Sequence, residues 1–385
     1  MFSSRLEWDA HPNPLSTLLA EKRATGAPIL DLTESNPTRA ALDYPREELL
    51  TALADPRALH YDPDPRGLLS ARKAVSEYYV QRGVEVPASR ILLTASTSEA
   101  YSYLFKLLTD PGDEILVPRP SYPLFDYLAA MESIAVRQYP LRYDGVWHID
   151  FPALASAITS RTRAIIVVNP NNPTGSYLKR AEWERLQTVG LPILSDEVFS
   201  DFSFSPDAER ITTLAAQNSV LTFSMSGLSK IAGLPQMKLG WIVASGPDHF
   251  AALNGLEWIA DTYLSVSTPV QLALPRILTA AAPVQEQIRA QTASNLQHLR
   301  KNLLAASPCR CLTVEGGWYA VLEVPRIRTE EDWVLQLLAE KDVLVQPGFF
   351  YDFESEAFLV LSLLTPPAIF AEGLRRILES TASRS

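Results

Sequence analysis

The segment Asn169–Gly175, which reads NPNNPTG, is the most informative part of this chain. It directly follows the apolar run Ala164–Val168, whose length and composition predict a buried strand. The prolines cannot donate to the hydrogen-bond ladder of a sheet, so we expect a loop after this strand. Because ligand pockets of open α/β sheets lie outside the carboxyl ends of parallel strands, we expect this loop to border such a pocket.

Segments that predict strands and helices alternate on both sides of this loop. Such alternation is typical of a parallel sheet with helices on both faces. The predicted strands are Ile91–Thr94, Glu114–Val117, Ile134–Tyr139, Ala164–Val168, Ile193–Ser195, Val220–Ser224 and Leu239–Ala244, and the predicted helices include Arg66–Arg82, Glu99–Leu108 and Tyr122–Met131. We therefore predict an α/β fold whose large domain has a mostly parallel sheet flanked by helices.

The C-terminal third of the chain has a different pattern. A helical stretch from Pro269 to Ala305 predicts one long helix that links two domains. Beyond it, strands predicted at Trp318–Val324, Val343–Val345 and Phe358–Leu363 and amphipathic helices predicted at Thr329–Glu340 and Pro367–Leu378 indicate a smaller α+β domain. We place the large domain at residues 46–267 and the linking helix with the small domain at residues 268–385. Residues 1–45 are expected to join the small domain.

Composition limits the possible classes of function. The chain has 385 residues, of which 47% are hydrophobic, so it can bury a sizeable core. The formal net charge of −10 would repel nucleic-acid phosphates, and no nucleic-acid partner is expected. The start of the chain carries acidic residues where a secretory signal needs an apolar run, and no later run is long enough for a membrane span. With only two cysteines, Cys309 and Cys311, a cytoplasmic protein is expected. The histidines lack metal-ligand spacing, so no metal site is predicted.

Three further motifs bear groups that could act chemically. The hydroxyl residues Ser96–Ser98 precede a predicted helix, where they could bind a phosphate or simply cap the helix. Asp196 ends an apolar strand, where a carboxylate needs a positive partner or serves as a turn cap. Lys230 follows Ser229 in a loop, and a lysine with a lowered pKa can form a Schiff base, although most lysines are solvated surface charges.

These motifs together resemble the class I/II aminotransferases, the fold-type I enzymes that depend on pyridoxal 5'-phosphate. The resemblance rests on Asn169–Gly175, Ser195–Glu197, Ser229–Lys230 and Gly240–Trp241, and it extends from Asn36-Pro37-Thr38 to Pro347-Gly348. It implies an enzyme that transfers an amino group from an amino acid or amine donor to an oxo acid or another carbonyl acceptor. It also implies a homodimer with shared sites.

The resemblance implies a role for each site residue. Lys230 would hold the cofactor as a Schiff base and then act as the catalytic base. Asp196 would pair with the pyridinium nitrogen, Asn172 would hydrogen-bond to the ring phenolate oxygen, and Tyr122 would stack on the ring. The contacts to the phosphate would come from Ser96, Thr97, Ser98, Ser229 and Lys238, and from Tyr61 reaching into the neighbouring subunit. The expected substrate contacts are Ser35, Arg39 and Asn172.

The sequence departs from the family pattern at three positions. Phe199 stands where the family has a tyrosine that donates to the phenolate oxygen, which predicts a higher pKa for the Schiff base. Lys238 stands where many relatives have a phosphate-binding arginine. Val360 stands where the family has the arginine that binds the substrate carboxylate. Either another residue, with Arg39 as the candidate, binds that carboxylate, or the substrate lacks it.

Other functions remain compatible with the sequence. A lyase, decarboxylase or cyclase of the same fold would use the same cofactor and differ in the fate of the carbanion. A non-catalytic cofactor-binding regulatory protein would share the fold, but the presence of Lys230 argues against it. A dinucleotide-dependent oxidoreductase is not expected, because no G-x-G-x-x-G motif follows a predicted strand.

Overall fold

The computed structural model of the protein describes residues 3–6, 11–303 and 307–382. The strands are β1 (Leu30–Asp31), β2 (Ile91–Thr94), β3 (Glu114–Arg119), β4 (Ala135–Tyr143), β5 (Trp147–Ile149), β6 (Thr162–Val168), β7 (Ile193–Asp196), β8 (Thr222–Gly227), β9 (Gly240–Ser245), β10 (Arg310–Cys311), β11 (Tyr319–Glu323), β12 (Val343–Leu344), β13 (Gln346–Pro347) and β14 (Phe358–Ser362). The helices are α1 (Pro14–Ala24), α2 (Arg46–Leu53), α3 (Leu69–Gln81), α4 (Thr97–Leu108), α5 (Phe125–Met131), α6 (Phe151–Ala157), α7 (Arg180–Leu186), α8 (Leu228–Ile231), α9 (His249–Tyr263), α10 (Thr268–Ala280), α11 (Ala282–Asn302), α12 (Glu330–Lys341) and α13 (Pro367–Ala382).

A large mixed sheet positions the residues of interest. Its strand order in the described part of the chain is β2-β9-β8-β7-β6-β3-β4-β5. The strands from β8 to β4 in this order pair in parallel, whereas β9 is antiparallel to both of its neighbours and β5 is antiparallel to β4. Because β9 runs opposite to both β2 and β8, those two strands point the same way. The predicted mostly parallel sheet is confirmed, and the carboxyl ends of β2, β6, β7 and β8 lie at one edge.

Successive side chains along each strand point to opposite faces of this sheet, and both faces are packed against helices. In β6, Ile166 and Val168 pack in the apolar layer under helices α4, α5 and α9. Their neighbours Ile165 and Val167 point to the opposite face and pack against helices α6 and α7. Since both faces are buried, the strand is apolar at every position from Ala164 to Val168 instead of alternating with polar residues. The side chains that can carry chemistry are therefore confined to the strand ends.

A separate small sheet and the N-terminal segment pack together. The small sheet has the order β10-β11-β14-β13 and is antiparallel. Strand β1 pairs in parallel with β12, and Lys22 in α1 forms a 2.5 Å ion pair with Asp342. Leu32 is fully buried in the core of this region. These contacts support the proposed association of residues 1–45 with the small domain, and the division at residues 46–267 and 268–385 remains a proposal.

One sequence-based prediction is wrong. The expected single helix from Pro269 to Ala305 is divided into α10 and α11, which meet at Ala281. Pro283 lies in the first turn of α11. Proline has no backbone N–H to continue the preceding helix, whereas the first turn of a new helix tolerates it. The predicted end at Ala305 lies outside the described residues. Within the described ranges, no helix is both long and apolar enough to cross a membrane.

Candidate active site

A cleft with about 830 Å³ of open space lies at the carboxyl edge of the large sheet. Its walls include many residues that the sequence singled out, namely Ser35, Ser96, Thr97, Ser98, Tyr122, Asn172, Asp196, Phe199, Ser229 and Lys230. Except for Ser35, they lie at or after the carboxyl ends of strands β2, β3, β6, β7 and β8, which point the same way in the large sheet.

Lys230 lies in the short helix α8, directly after strand β8. Its Nζ atom is 5.0 Å from the ring of Trp318 and 5.6 Å from the ring of Phe199. Burial lowers the pKa of Lys230 to about 8, and the nearby carboxylate of Asp196 opposes this shift. A substantial fraction of the amine is therefore neutral near physiological pH, which makes it a nucleophile and a base.

Asp196 is the last residue of β7 and is 8% exposed. Its carboxylate accepts hydrogen bonds from the hydroxyl of Tyr101 at 3.1 Å and from the backbone N–H of Val198 at 3.3 Å. Burial nevertheless raises the pKa of Asp196 to about 6. A cationic group in the cleft would reverse this shift, so the site favours a positively charged partner at this carboxylate.

The sequence analysis did not identify Tyr101 as part of the site. Tyr101 lines the cleft from helix α4, one turn after Thr97. Helical spacing places residues four apart on one face, so this tyrosine could have been expected beside the hydroxyl residues of the same helix. Its buried contact with Asp196, 95 residues away in sequence, gives no sequence signal.

The loop after β6 is held by its own side-chain amides. Asn169 donates to the carbonyl of Ile211 at 2.7 Å, and Asn171 donates to the carbonyl of Pro120 at 3.0 Å. These bonds fix the position of Asn172, which is 7% exposed. The Oδ1 atom of Asn172 is buried and has no hydrogen-bond partner in the described part of the chain. Because unpaired buried polar atoms are costly, this amide is suited to a partner on a bound molecule.

A cluster of hydroxyl groups lies at the start of helix α4. Ser96 caps this 12-residue helix by accepting a hydrogen bond from the N–H of Glu99 at 3.1 Å. Ser229 and Gly240 also line the cleft. A Cβ atom on Gly240 would lie 3.0 Å from the carbonyl oxygen of Ser226, a tight contact that glycine avoids. Hydroxyl groups and free N–H groups at a helix N-terminus suit an anion such as a phosphate.

Two hydroxyl groups face the cleft from the side of the small sheet. The side chains of Ser35 and Tyr319 both line the cleft. Burial raises the pKa of Tyr319 to about 12, so its hydroxyl stays protonated. The family resemblance predicted Ser35 as a substrate contact.

Several other predicted site residues lie outside the walls of this cleft. Arg39 is exposed at the end of a short turn of 3-10 helix, and Lys238 is exposed with a left-handed backbone at φ 49°. Tyr61 is 80% exposed and borders a second surface cavity. Val360 is fully buried within the small sheet. The functional roles of Arg39, Lys238 and Tyr61 therefore remain predictions.

Tyr122 lines the cleft, but it does so from a loop. The helix predicted at Tyr122–Met131 begins only at Phe125. Pro123 follows Tyr122, and a residue before proline is biased away from helical backbone angles. The Tyr122 side chain is 37% exposed, so its ring is available to a molecule in the cleft.

Comparison with known proteins identifies the family. Residues 27–376 match the family described as Aminotransferase class I and II. The chain is 30% identical to glutamate-pyruvate aminotransferase AlaA of Escherichia coli strain K12 over 340 residues, covering 84% of this chain and 83% of the relative. It is also 30% identical to tyrosine aminotransferase of Bos taurus over 327 residues, covering 81% of this chain and 72% of that enzyme. Alanine aminotransferase from Pyrococcus furiosus has the same fold, with a TM-score of 0.87 at 24% identity and complete coverage of both chains. The chain therefore belongs to the class I and II aminotransferase family and is an aminotransferase.

Proposed function

We propose that this aminotransferase binds pyridoxal 5'-phosphate through Lys230 and transfers an amino group from an amino acid or amine donor to an oxo acid or carbonyl acceptor. The family is known for this cofactor, which when bound supplies an electron sink for negative charge at the amine-bearing carbon. The observation that carries the proposal is the meeting, in one cleft, of the Lys230 amine, the Asp196 carboxylate and the unpaired Asn172 amide.

The properties of Lys230 fit two successive tasks. With a pKa of about 8, its amine would be partly neutral near neutral pH and could hold the cofactor covalently. When free, the same Nζ atom could accept a proton from the amine-bearing carbon of a substrate. The rings of Phe199 and Trp318, 5.6 and 5.0 Å from Nζ, attract the ammonium form that results.

Asp196, Asn172 and Tyr122 would orient the ring of the cofactor. The Asp196 carboxylate, held by Tyr101 and Val198, would pair with the protonated ring nitrogen. Asn172 would turn its amide nitrogen to the ring phenolate oxygen and donate a hydrogen bond to it. Tyr122 would stack on the ring face, a contact worth about 1 kcal/mol.

The phosphate would lie at the start of helix α4. Ser96, Thr97 and Ser98 supply hydroxyl and backbone N–H groups there, and Ser229 supplies another hydroxyl across the cleft. Lys238 is proposed as an additional cationic contact, although its exposed side chain would have to turn toward the phosphate.

We also propose a homodimer in which Tyr61 reaches the phosphate of the neighbouring site. Large apolar side chains are exposed near this segment and on helix α9, with Leu59 at 89%, Tyr61 at 80% and Trp258 at 77%. Exposed apolar groups of this kind favour a subunit interface.

For the substrate we propose contacts with Ser35 and Asn172, and with Arg39 if the N-terminal segment moves toward the cleft. A cytoplasmic location remains a prediction.

Borohydride reduction of the cofactor-loaded protein tests the covalent attachment. We expect a pyridoxyl group on Lys230 in the peptide map and none after Lys230→Ala, while Lys238→Ala leaves the label in place. A label on another lysine would contradict the proposal.

Incubation with amino donors tests the reaction type. An aminotransferase converts the cofactor to its amine form and releases one equivalent of oxo product. A lyase, decarboxylase or cyclase would form product while the cofactor stays in its aldehyde form. That result would favour the alternative function.

A further inference from the structure

A buried apolar cluster around Val360 of strand β14 borders the cleft. Val360 in this strand is fully buried, with an exposed fraction of 0%. It packs in one buried cluster with Phe199, Trp318 and Tyr319. Two of these residues, Phe199 and Tyr319, also line the cleft. The position at which the family pattern has a guanidinium is thus occupied by close-packed apolar and aromatic groups.

The cleft surface next to this cluster offers neutral hydrogen-bonding groups. Ser35 and Tyr319 both line the cleft and present hydroxyl groups. Among the described residues that line the cleft, Lys230 is the one cation, and it is assigned to the cofactor. A hydroxyl both donates and accepts, so the pair can bind an alcohol, an amide or a carbonyl group without leaving a charge unpaired.

A carboxylate in the same place would be poorly stabilised. It would lose water on entering the cleft and gain only neutral hydrogen bonds beside an aromatic wall, which is unfavourable for a buried charge. An uncharged polar group loses much less on desolvation and can form the same bonds.

We infer that the preferred amino donor carries an uncharged substituent, and not a carboxylate, on its amine-bearing carbon, and that Ser35 and Tyr319 bind this substituent. The inference rests on the proposed function and narrows its substrate class to amines such as amino alcohols and amino amides. Because the second half-reaction runs the first one in reverse in the same subsite, the inference also favours an acceptor without a carboxylate next to its carbonyl carbon.

Matched donors that differ only in this substituent test the inference. L-alanine, L-alaninol, L-alaninamide and isopropylamine have the same amine-bearing carbon with a carboxylate, an alcohol, an amide or a methyl group. Single-turnover conversion of the loaded protein to its amine form gives kcat/KM for each half-reaction. We expect alaninol and alaninamide to exceed alanine by about 10- to 100-fold, the range that one charge-dependent hydrogen bond spans.

Variants separate the contacts. Tyr319→Phe should reduce kcat/KM for alaninol more than kcat/KM for isopropylamine, because only alaninol uses the hydroxyl. Val360→Arg should raise the rate with alanine relative to alaninol. Because this variant buries a charge and could misfold, calorimetry on the wild-type protein gives an independent measurement: isobutyramide should bind more tightly than isobutyrate.

The outcomes are distinguishable from failure of the proposed function. If no donor converts the cofactor, the aminotransferase proposal itself fails. If alanine reacts faster than alaninol and isobutyrate binds more tightly than isobutyramide, the function stands and the inference is overturned. Loss of the alanine reaction in Arg39→Ala would then assign the carboxylate to Arg39.

Discussion

The altered basicity of Lys230 can be measured in the cofactor-free protein. Burial lowers the pKa of its amine from 10.5 to about 8. At pH 7.5 this value corresponds to about a quarter of the amine in the neutral form, compared with about 0.1% for an unperturbed lysine. The reactive fraction is therefore raised by about two orders of magnitude. This difference is large enough to measure without any catalytic assay.

Replacement of Asp196 by Asn should change the pKa of the Lys230 amine in a defined direction. The Asp196 carboxylate raises the pKa of Lys230 and so opposes the effect of burial. Since the pKa of Asp196 is about 6, its carboxyl group is mainly ionised at pH 7.5. Removing that charge leaves desolvation unopposed, and we expect the pKa of Lys230 to fall below 8 in Asp196→Asn.

Competitive acylation with acetic anhydride, followed by peptide mass spectrometry across pH 6 to 11, measures the titration of each lysine. Lys238 is exposed and serves as an internal control in the same digest. We expect half-maximal labelling of Lys230 near pH 8 in the wild-type protein and at lower pH in Asp196→Asn. A wild-type midpoint near 10.5, or a midpoint that rises in the variant, would refute this account of the site.

The same shift makes stability depend on pH. A folded-state pKa of about 8 against an unfolded value of 10.5 means that the folded protein binds fewer protons at Lys230 between these values. Stability of the cofactor-free protein therefore rises with pH through this window, by at most about 3 kcal/mol from this group. Below pH 8 the whole cost of burying the amine is present. Denaturant unfolding of Lys230→Met should lack this rise.

Three further changes have defined outcomes. Gly175→Ala should lower the thermal unfolding temperature more than Gly83→Ala. Both glycines have positive φ, but a Cβ at Gly175 would lie 2.5 Å from the Gly316 carbonyl oxygen. A Cβ at Gly83 would have no atom within 4 Å. Glu197→Ala leaves four hydrogen-bond donors unpaired in the core, and a loss of at least about 3 kcal/mol is expected in denaturant unfolding. Phe199→Tyr should move the visible-absorbance titration of the loaded protein to lower pH, because the added hydroxyl can donate to the ring oxygen.

The large sheet could be predicted well from the sequence because its strands are buried on both faces. Apolar runs such as Ala164–Val168 are too short for a core helix, and turn residues mark their ends. Strand β5 was missed because it has only three residues and pairs at the sheet edge. The prediction of one long linking helix was wrong because the helical periodicity of the sequence continues through Pro283. Periodicity alone cannot show where one helix ends and the next begins.

The candidate site was predictable where a chemical group directly follows a strand. Asn172, Asp196 and Lys230 meet this condition, and parallel pairing explains why all three reach one cleft. Contacts between segments that are distant in sequence could not be predicted from strand ends. The hydroxyl groups of Ser35 and Tyr319 come from two parts of the chain that have no common motif, and their meeting at the cleft depends on the packing of the N-terminal segment against the small sheet.

The departures at positions 199 and 360 are physically connected. Phe199 and Val360 belong to one buried cluster, and the ring of Trp318 lies 5.2 Å from that of Phe199 in an edge-to-face arrangement. A hydroxyl at position 199 would need a partner beside these rings, and a guanidinium at position 360 would need space and counter-charge in the same close-packed volume. Because the two positions share neighbours, the stability costs of Phe199→Tyr and Val360→Arg should not be additive in the double variant. The loss of the two polar groups is best understood as a single change in the wall of the cleft, and the same wall surrounds the amine of Lys230.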